Sequence, residues 1–162
     1  MRRLAILDTG PLGLVTHPGS RPEVKECQRW LDTLLIAGVR VVIPAIADYE
    51  LRRELIRANR QQGLARLDTL IAEFGLEPID QDVVLEAARL WADVRSFGLP
   101  TAPDLALDGD CILAAQANVL LRSSSQIEEG GAVQAIVATT NLKHLSRMTT
   151  ARHWRDLEPQ FD

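Results

Sequence analysis

Two apolar runs in this sequence end abruptly on side chains that carry oxygen. Asp8 closes Leu4-Ala5-Ile6-Leu7 and is followed at once by Thr9-Gly10-Pro11, and Thr139-Thr140-Asn141 closes the run at 132–138. Between them lie Glu50, shortly after a third apolar run, and the acids Asp108 and Asp110 ahead of Cys111-Ile112-Leu113-Ala114. In an open α/β sheet, ligands bind beyond the carboxyl ends of the strands, so acids at those ends are the first candidates for chemistry. Carboxylates gathered in one concavity repel each other until a cation neutralises them, and hard divalent cations prefer oxygen ligands. Such a cation makes hydroxide from water near neutral pH.

Each of these residues also has a plain structural reading. Asp108 and Asp110 directly precede a helical pattern, where carboxylates serve as caps. Glu50 shares its helix with Arg53, Glu54 and Arg57, a set suited to i,i+3 and i,i+4 ion pairs on a solvated face. At 100° per residue, Glu50 lies roughly 95° and Glu54 roughly 55° from the centre of the Ala47/Leu51/Leu55/Ala58 stripe. Periodicity leaves the choice between the two glutamates open.

The elements that must position these residues follow from hydropathy. Residues 4–7 read as a buried parallel strand, and Asp8-Thr9-Gly10-Pro11 as a turn. From Pro22, the residues Val24, Cys27, Trp30, Leu31, Leu34 and Leu35 trace a helix with Gly38 after its end. Residues 39–43 form a second strand. Pro44 then opens the helix that carries Glu50, which runs to Gly63, and residues 64–74 form another helix closed by Gly75. Residues 76–79 are a weak strand, and Asp80 or Gln81 opens a helix that Gly98, Pro100 and Pro103 break. Residues 108–121 read as a helix with small residues suited to packing on a sheet, 122–131 as a loop, 132–138 as the last strand and 142–148 as a short helix. Strands alternating with helices mean an α/β sheet. Residues 1–150 are expected to form one domain, with the tail at 151–162, which carries Trp154, packed peripherally on it.

Composition agrees with one globular domain: 162 residues, 46% hydrophobic, 25% charged and 4% aromatic. A chain of this size buries roughly 70% of its unfolded surface, enough for a core without disulfides or structural metal. Cys27 and Cys111 lie far apart in apolar-periodic stretches and read as reduced core residues. His17, His144 and His153 have no metal-ligand spacing, and Trp30, Trp91 and Trp154 read as core or interface residues. A net charge of −4 and a pI near 5.4 exclude a broad basic field that coats nucleic acid, though not a local site where bound metal supplies positive charge. The apolar run after Arg2 and Arg3 is too short for a signal sequence or a membrane span, so a cytoplasmic protein is expected.

Taken in order, Asp8-Thr9-Gly10-Pro11-Leu12, the stretch from Pro44 through Glu50-Leu51-Arg52-Arg53, Asp110-Cys111-Ile112-Leu113-Ala114-Ala115-Gln116-Ala117 and Thr139-Thr140-Asn141 resemble the PIN-domain ribonucleases. The nearest group is the VapC-type toxins of bacterial toxin–antitoxin pairs. The resemblance implies a three-layer fold with a mostly parallel sheet of roughly four or five strands between helices. It also implies an acidic pocket that binds Mg²⁺ or Mn²⁺ and hydrolyses RNA. Asp8, Glu50 and Asp110 match the family's acidic ligands, and Asp108 is a further acid that reaches the metals directly or through water. Asn141 stands where some members carry Asp, and His144 where another Asp is sometimes found, which bears on whether the pocket takes one metal or two. Amide and water ligands still suit Mg²⁺. Thr9 and Thr139 match polar positions that orient a carboxylate or water.

Arg52, Arg53 and Arg57, with Arg60 and Arg66 beyond them, form the candidate edge for the RNA backbone, against the plain alternative of solvated ion pairs. The resemblance further implies a homodimer and a cognate antitoxin that inserts a segment into the acidic pocket. A phosphatase-like fold with Asp8 as nucleophile expects a second Asp where Gly10 stands, and a receiver domain expects an acidic pair that is missing. The remaining alternative is a PIN-like domain without catalysis that binds RNA or protein.

Overall fold

The computed structural model describes residues 1–97, 103–127 and 131–161. Strand β1 (Arg2–Leu7) lies at the centre of a five-stranded sheet of order β3-β2-β1-β4-β5. Its neighbours are β2 (Arg40–Pro44) on one side and β4 (Val133–Thr139) on the other, followed outward by β3 (Leu76–Glu77) and β5 (Ala151–His153). Every pairing is parallel, with Leu4 opposite both Arg40 and Ala135. All strands therefore end on one edge of the sheet. The order reverses at β1, so the crevice beyond β1 and β4 is the topological switch point where open α/β sheets bind ligands.

Alternation along the strands separates two apolar layers. Leu4, Ile6, Val42, Ala135 and Val137 pack against α5 (Gln81–Ser96) and α6 (Asp104–Ile127). Ala5, Leu7, Val41, Ile43, Ile136 and Ala138 face Leu12 and Val15 of α1 (Thr9–Thr16), Cys27, Leu31 and Leu34 of α2 (Pro22–Ile36), and Leu67 of α4 (Gln61–Phe74). Helix α3 (Ala45–Arg57) leaves β2 directly after Pro44 and touches both layers through Ile46 and Ala47. Cys27 and Cys111 are buried free thiols, and burial pushes them up to about 12 and about 11.

Several boundaries differ from the sequence reading. The stretch after Asp8 is the helix α1, capped by Asp8 itself, with Pro11 tolerated in a first turn that needs no intrahelical N–H. Helix α4 begins at Gln61, so Gly63 lies inside its first turn. Helix α6 begins at Asp104 and continues to Ile127, through residues expected to be loop, so neither Asp108 nor Asp110 is a cap. Between 142 and 148 only one turn of 3-10 helix forms, Leu145–Arg147. The tail is not peripheral: Ala151–His153 pairs with β4, while Trp154, Leu157 and Phe161 join the second apolar layer at 1%, 1% and 3% exposure. The expected break at Gly98 and Pro100 lies outside the described residues. No helix among the described residues is long and apolar enough to cross a membrane.

Candidate active site

Asp8 is the first residue past β1, and its backbone N–H still donates to the Ala138 carbonyl of β4 at 2.9 Å. The Asp8 carboxylate is therefore pinned at the switch point by sheet pairing. Its Oδ1 accepts from the Thr9 N–H at 2.7 Å, and its Oδ2 accepts from the Thr139 hydroxyl at 2.6 Å. Burial raises the Asp8 carboxyl above its ordinary range, with the bonds from Thr139 and Thr9 working against that shift. Thr139 is wholly buried, and its Oγ1 accepts the Asn141 N–H at 2.9 Å, so a short relay of donors runs from the loop after β4 to Asp8.

Glu50 reaches the same place from α3. Its Oε2 accepts the Thr9 hydroxyl at 2.7 Å, which joins the first turn of α1 to the second turn of α3. Its Oε1 lies against Gly109 of α6, where a Cβ would overlap it. The next residue, Asp110, supplies the third carboxylate. Burial, then the charge of Asp8, then that of Glu50 push Asp110 up to about 6 from an ordinary 3.8. Three acids from three different helices or helix caps thus share one field at the carboxyl edge of the sheet. Among the described residues, no three His, Cys, Asp or Glu side chains are grouped so as to hold a metal ion.

The family profile of the PIN domain matches residues 5–133. The chain belongs to the PIN domain family. No curated protein matches it. Among solved structures, it is similar to VapBC2 from Rickettsia felis bound to a DNA fragment from its promoter, at TM-score 0.64 and 15% identity over 93% of this chain and 98% of that one. It is also similar to VapBC-1 from nontypeable Haemophilus influenzae, at TM-score 0.67 and 16% identity over 94% and 99%. A third is FitAcB from Neisseria gonorrhoeae, at TM-score 0.63 and 20% identity over 94% and 99%. At these identities the likeness is one of fold.

The PIN domain brings Asp8, Glu50, Asp110, Thr9 and Thr139 together, and it leaves other expected residues apart. Asp108 lies about 200° around α6 from Asp110, and it lines a shallow groove with Ala87, Ala88, Trp91, Cys111 and Ile112 on the α5 side. Asn141 is exposed, and its side-chain Oδ1 accepts from the Lys143 N–H at 3.2 Å within its own loop, so it contributes to the relay through its backbone. Arg52 bonds Asp48 at 2.9 Å and Asp68 at 2.8 Å on the side of α3 away from Glu50. Arg53 lies over the Tyr49 ring at 5.2 Å, and Arg57 pairs with Glu54 at 2.7 Å. Arg57 is seven residues after Glu50 and returns to its face of the helix.

Two residues of the site escaped the sequence reading. Gly109 is where α6 comes close enough to meet Glu50. Gln116, at 1% exposure, donates through Nε2 to the Glu77 and Pro78 carbonyls at 2.6 and 2.9 Å and accepts the Ile46 N–H at 3.2 Å through Oε1. It satisfies an orphan donor in the first turn of α3 and so ties the Glu50 helix to the Asp110 helix. The available signal was a lone amide inside the small-residue run Ala114-Ala115-Gln116-Ala117.

Proposed function

We propose that the protein is a metal-dependent endoribonuclease, hydrolysing RNA phosphodiester bonds in the cytoplasm as the toxin of a type II toxin–antitoxin pair. The observation that carries this reading is the meeting of Asp8, Glu50 and Asp110 at the switch point, where burial first, and then the charges of Asp8 and Glu50, push Asp110 up to about 6. A protein that builds such a field without compensation is suited to a cation from solution.

The donor set is all oxygen, which fits Mg²⁺ or Mn²⁺. Mg²⁺ keeps several waters and takes one or two carboxylates directly, so a closed protein cage is not required. Asp8, Glu50 and Asp110 are the residues to hold it. When bound, such an ion supplies hydroxide from water near neutral pH and stabilises charge on the attacked phosphate. The chain's own contribution is orientation. Thr139 and the Thr9 N–H each occupy one lone pair of a different Asp8 oxygen and leave another free on each. The Thr9 hydroxyl fixes the Glu50 carboxylate in the same way. Asp108 sits too far around α6 to share in this arrangement. Arg53 and Arg57, on the flank of α3 that carries Glu50, are the better placed of the three arginines to meet an RNA backbone, since Arg52 is committed to Asp48 and Asp68.

The toxin role draws on the extent of the fold likeness to VapBC and FitAcB complexes, which covers 93% to 94% of this chain. An antitoxin protein is the partner this reading requires, and a homodimer the assembly. A second reading, a PIN-like domain that binds RNA or protein without cutting, draws on the Asn141 side chain, which bonds within its own loop. Incubating a mixed, structured RNA pool with Mg²⁺, Mn²⁺ or EDTA separates the two. Wild type should cut only with metal, and a folded Asp8→Asn variant should not cut. Wild type that binds RNA yet leaves the pool intact in either metal would favour the second reading.

A further inference from the structure

A cavity lies outside the acidic site, at the far end of the α3 flank that carries Glu50 and Arg57. It encloses about 620 Å³ between the end of α1 and the α3–α4 turn, and its lining includes His17, Arg57, Asn59, Arg60 and Gln62. Leu55 and Gly63 form an apolar part of the wall, where a Cβ added to Gly63 would come within 3.0 Å of Leu55. Helices α1 and α3 run side by side from the acidic site to this cavity: Thr9 meets Glu50, and Gly13 then meets Leu51. Seven residues of helix separate Glu50 from Arg57, about 10 Å along the axis. That is a short step along an extended nucleic-acid strand.

The chemistry of the lining selects an anionic ligand with hydrogen-bonding edges. Among the described residues, no ion pair or hydrogen bond engages the Arg60 guanidinium, whose fork suits a phosphate. Arg57 is tied to Glu54, an exposed pair at 75% and 55% accessibility that a phosphate can displace at small cost. The first turn of α4 carries no acidic residue, and Glu54, the acid in the lining, is the partner of Arg57. Asn59 stands in a left-handed turn at φ 52°, and Gln61 Nε2 donates to its Oδ1 at 2.9 Å, which leaves its amide NH₂ available. Side-chain amides of this kind match the donor and acceptor pairs on base edges. His17 Nδ1 accepts the Gly19 N–H at 2.9 Å, so its other ring nitrogen is the one left for a ligand.

We propose that this cavity is a nucleotide subsite. It holds the nucleotide of a single-stranded RNA that flanks the cleaved phosphate, with Arg60 and Arg57 on the backbone and the amides of Asn59 and Gln62 on the base. The inference rests on the nuclease reading and deepens it, since it puts the selection of sequence outside the acidic centre.

The test uses the full chain in its Asp8→Asn form, which removes cutting, titrated with a fluorescein-labelled unstructured RNA octamer and with a labelled dinucleotide at several salt concentrations. Adding Arg60→Glu should weaken octamer binding about tenfold and lower the salt slope by about one. It should also shrink the advantage of octamer over dinucleotide. Gln62→Ala, which keeps the charge, should change the ranking of octamers of different sequence more than their mean affinity. Circular dichroism of both variants guards against misfolding.

Octamer binding unchanged by Arg60→Glu would overturn the subsite. So would an Arg60→Glu protein that binds RNA normally but loses a co-expressed protein partner, which would make the cavity a protein-docking site. The nuclease reading stands or falls separately, on whether the wild type cuts the RNA pool with metal. RNA cut by the wild type and bound indifferently to Arg60 would overturn the subsite alone.

Discussion

Helix α6 borders two clusters, each built round an acid, and their contrast separates what the fold needs from what it leaves open. At its middle, Glu86 of α5 is buried against α6, where Arg89 bonds it at 2.9 Å, Asn118 at 3.2 Å and Arg122 at 3.4 Å. Burial works to raise Glu86, but these bonds outweigh it and hold the carboxyl below its ordinary range. At its N-terminal end, Asp110 meets burial and two further acids, and its carboxyl rises to about 6. One buried carboxylate is neutralised by the protein's own cations. The other, the half-buried Asp110, faces Asp8 and Glu50, a like-charged set that an external cation can compensate.

The sharpest way to break this comparison is to neutralise one member of each cluster. Asp110→Asn should abolish metal-dependent cleavage, a fall of about a thousandfold or more, while leaving the melting temperature equal or higher because it relieves repulsion. Thr139→Val removes the hydroxyl that holds Asp8 Oδ2 and should weaken Mn²⁺ affinity by about ten- to a hundredfold, read by calorimetry. Gly109→Ala has opposite expected signs in two assays. Its methyl collides with Glu50 Oε1, so turnover should fall by about tenfold, although Gly to Ala inside a helix otherwise adds up to about 1 kcal/mol of stability. Equal turnover in Gly109→Ala would mean that Glu50 does not need its place against α6.

Smaller effects sharpen the contrast. Glu86→Gln should cost about 1–2 kcal/mol in denaturant unfolding with cleavage retained, since it removes only the structural cluster. The pH dependence follows from the direction of the Asp110 shift. Its folded value of about 6 exceeds the ordinary 3.8, so between these values the folded state binds more protons than the unfolded one. Metal-free stability from this group is therefore present below the lower value and is lost as pH rises through about 6. Thermal melts without metal should decline across that window. Mg²⁺ should restore the loss most at the higher pH, where Asp110 is ionised.

The order of strands and helices, and the acids at the carboxyl ends, were legible because apolar runs and turns announce them. What was hidden depended on contacts between distant segments. β5 was missed because Ala151-Arg152-His153 has no strand pattern of its own and forms only by pairing with β4. The sequence of α1 reads as a turn because Gly10, Pro11 and Gly13 are poor helix formers, and packing of Leu12 and Val15 on the sheet overrides them. The capping reading of Asp108 and Asp110 failed because α6 begins further upstream, at Asp104. Once both acids are inside the helix, the angle between them decides which one faces Asp8. Gly109 and Gln116 draw their roles from Glu50 and Ile46 on another helix, which no spacing within α6 reveals.

Calorimetric titration of Mn²⁺ into wild type, Asp110→Asn and Glu86→Gln tests the central claim most directly. The account predicts binding by wild type and Glu86→Gln alike, and a loss of at least about tenfold in Asp110→Asn. Equal Mn²⁺ affinity in wild type and Asp110→Asn, or no binding to the folded wild type, would contradict it.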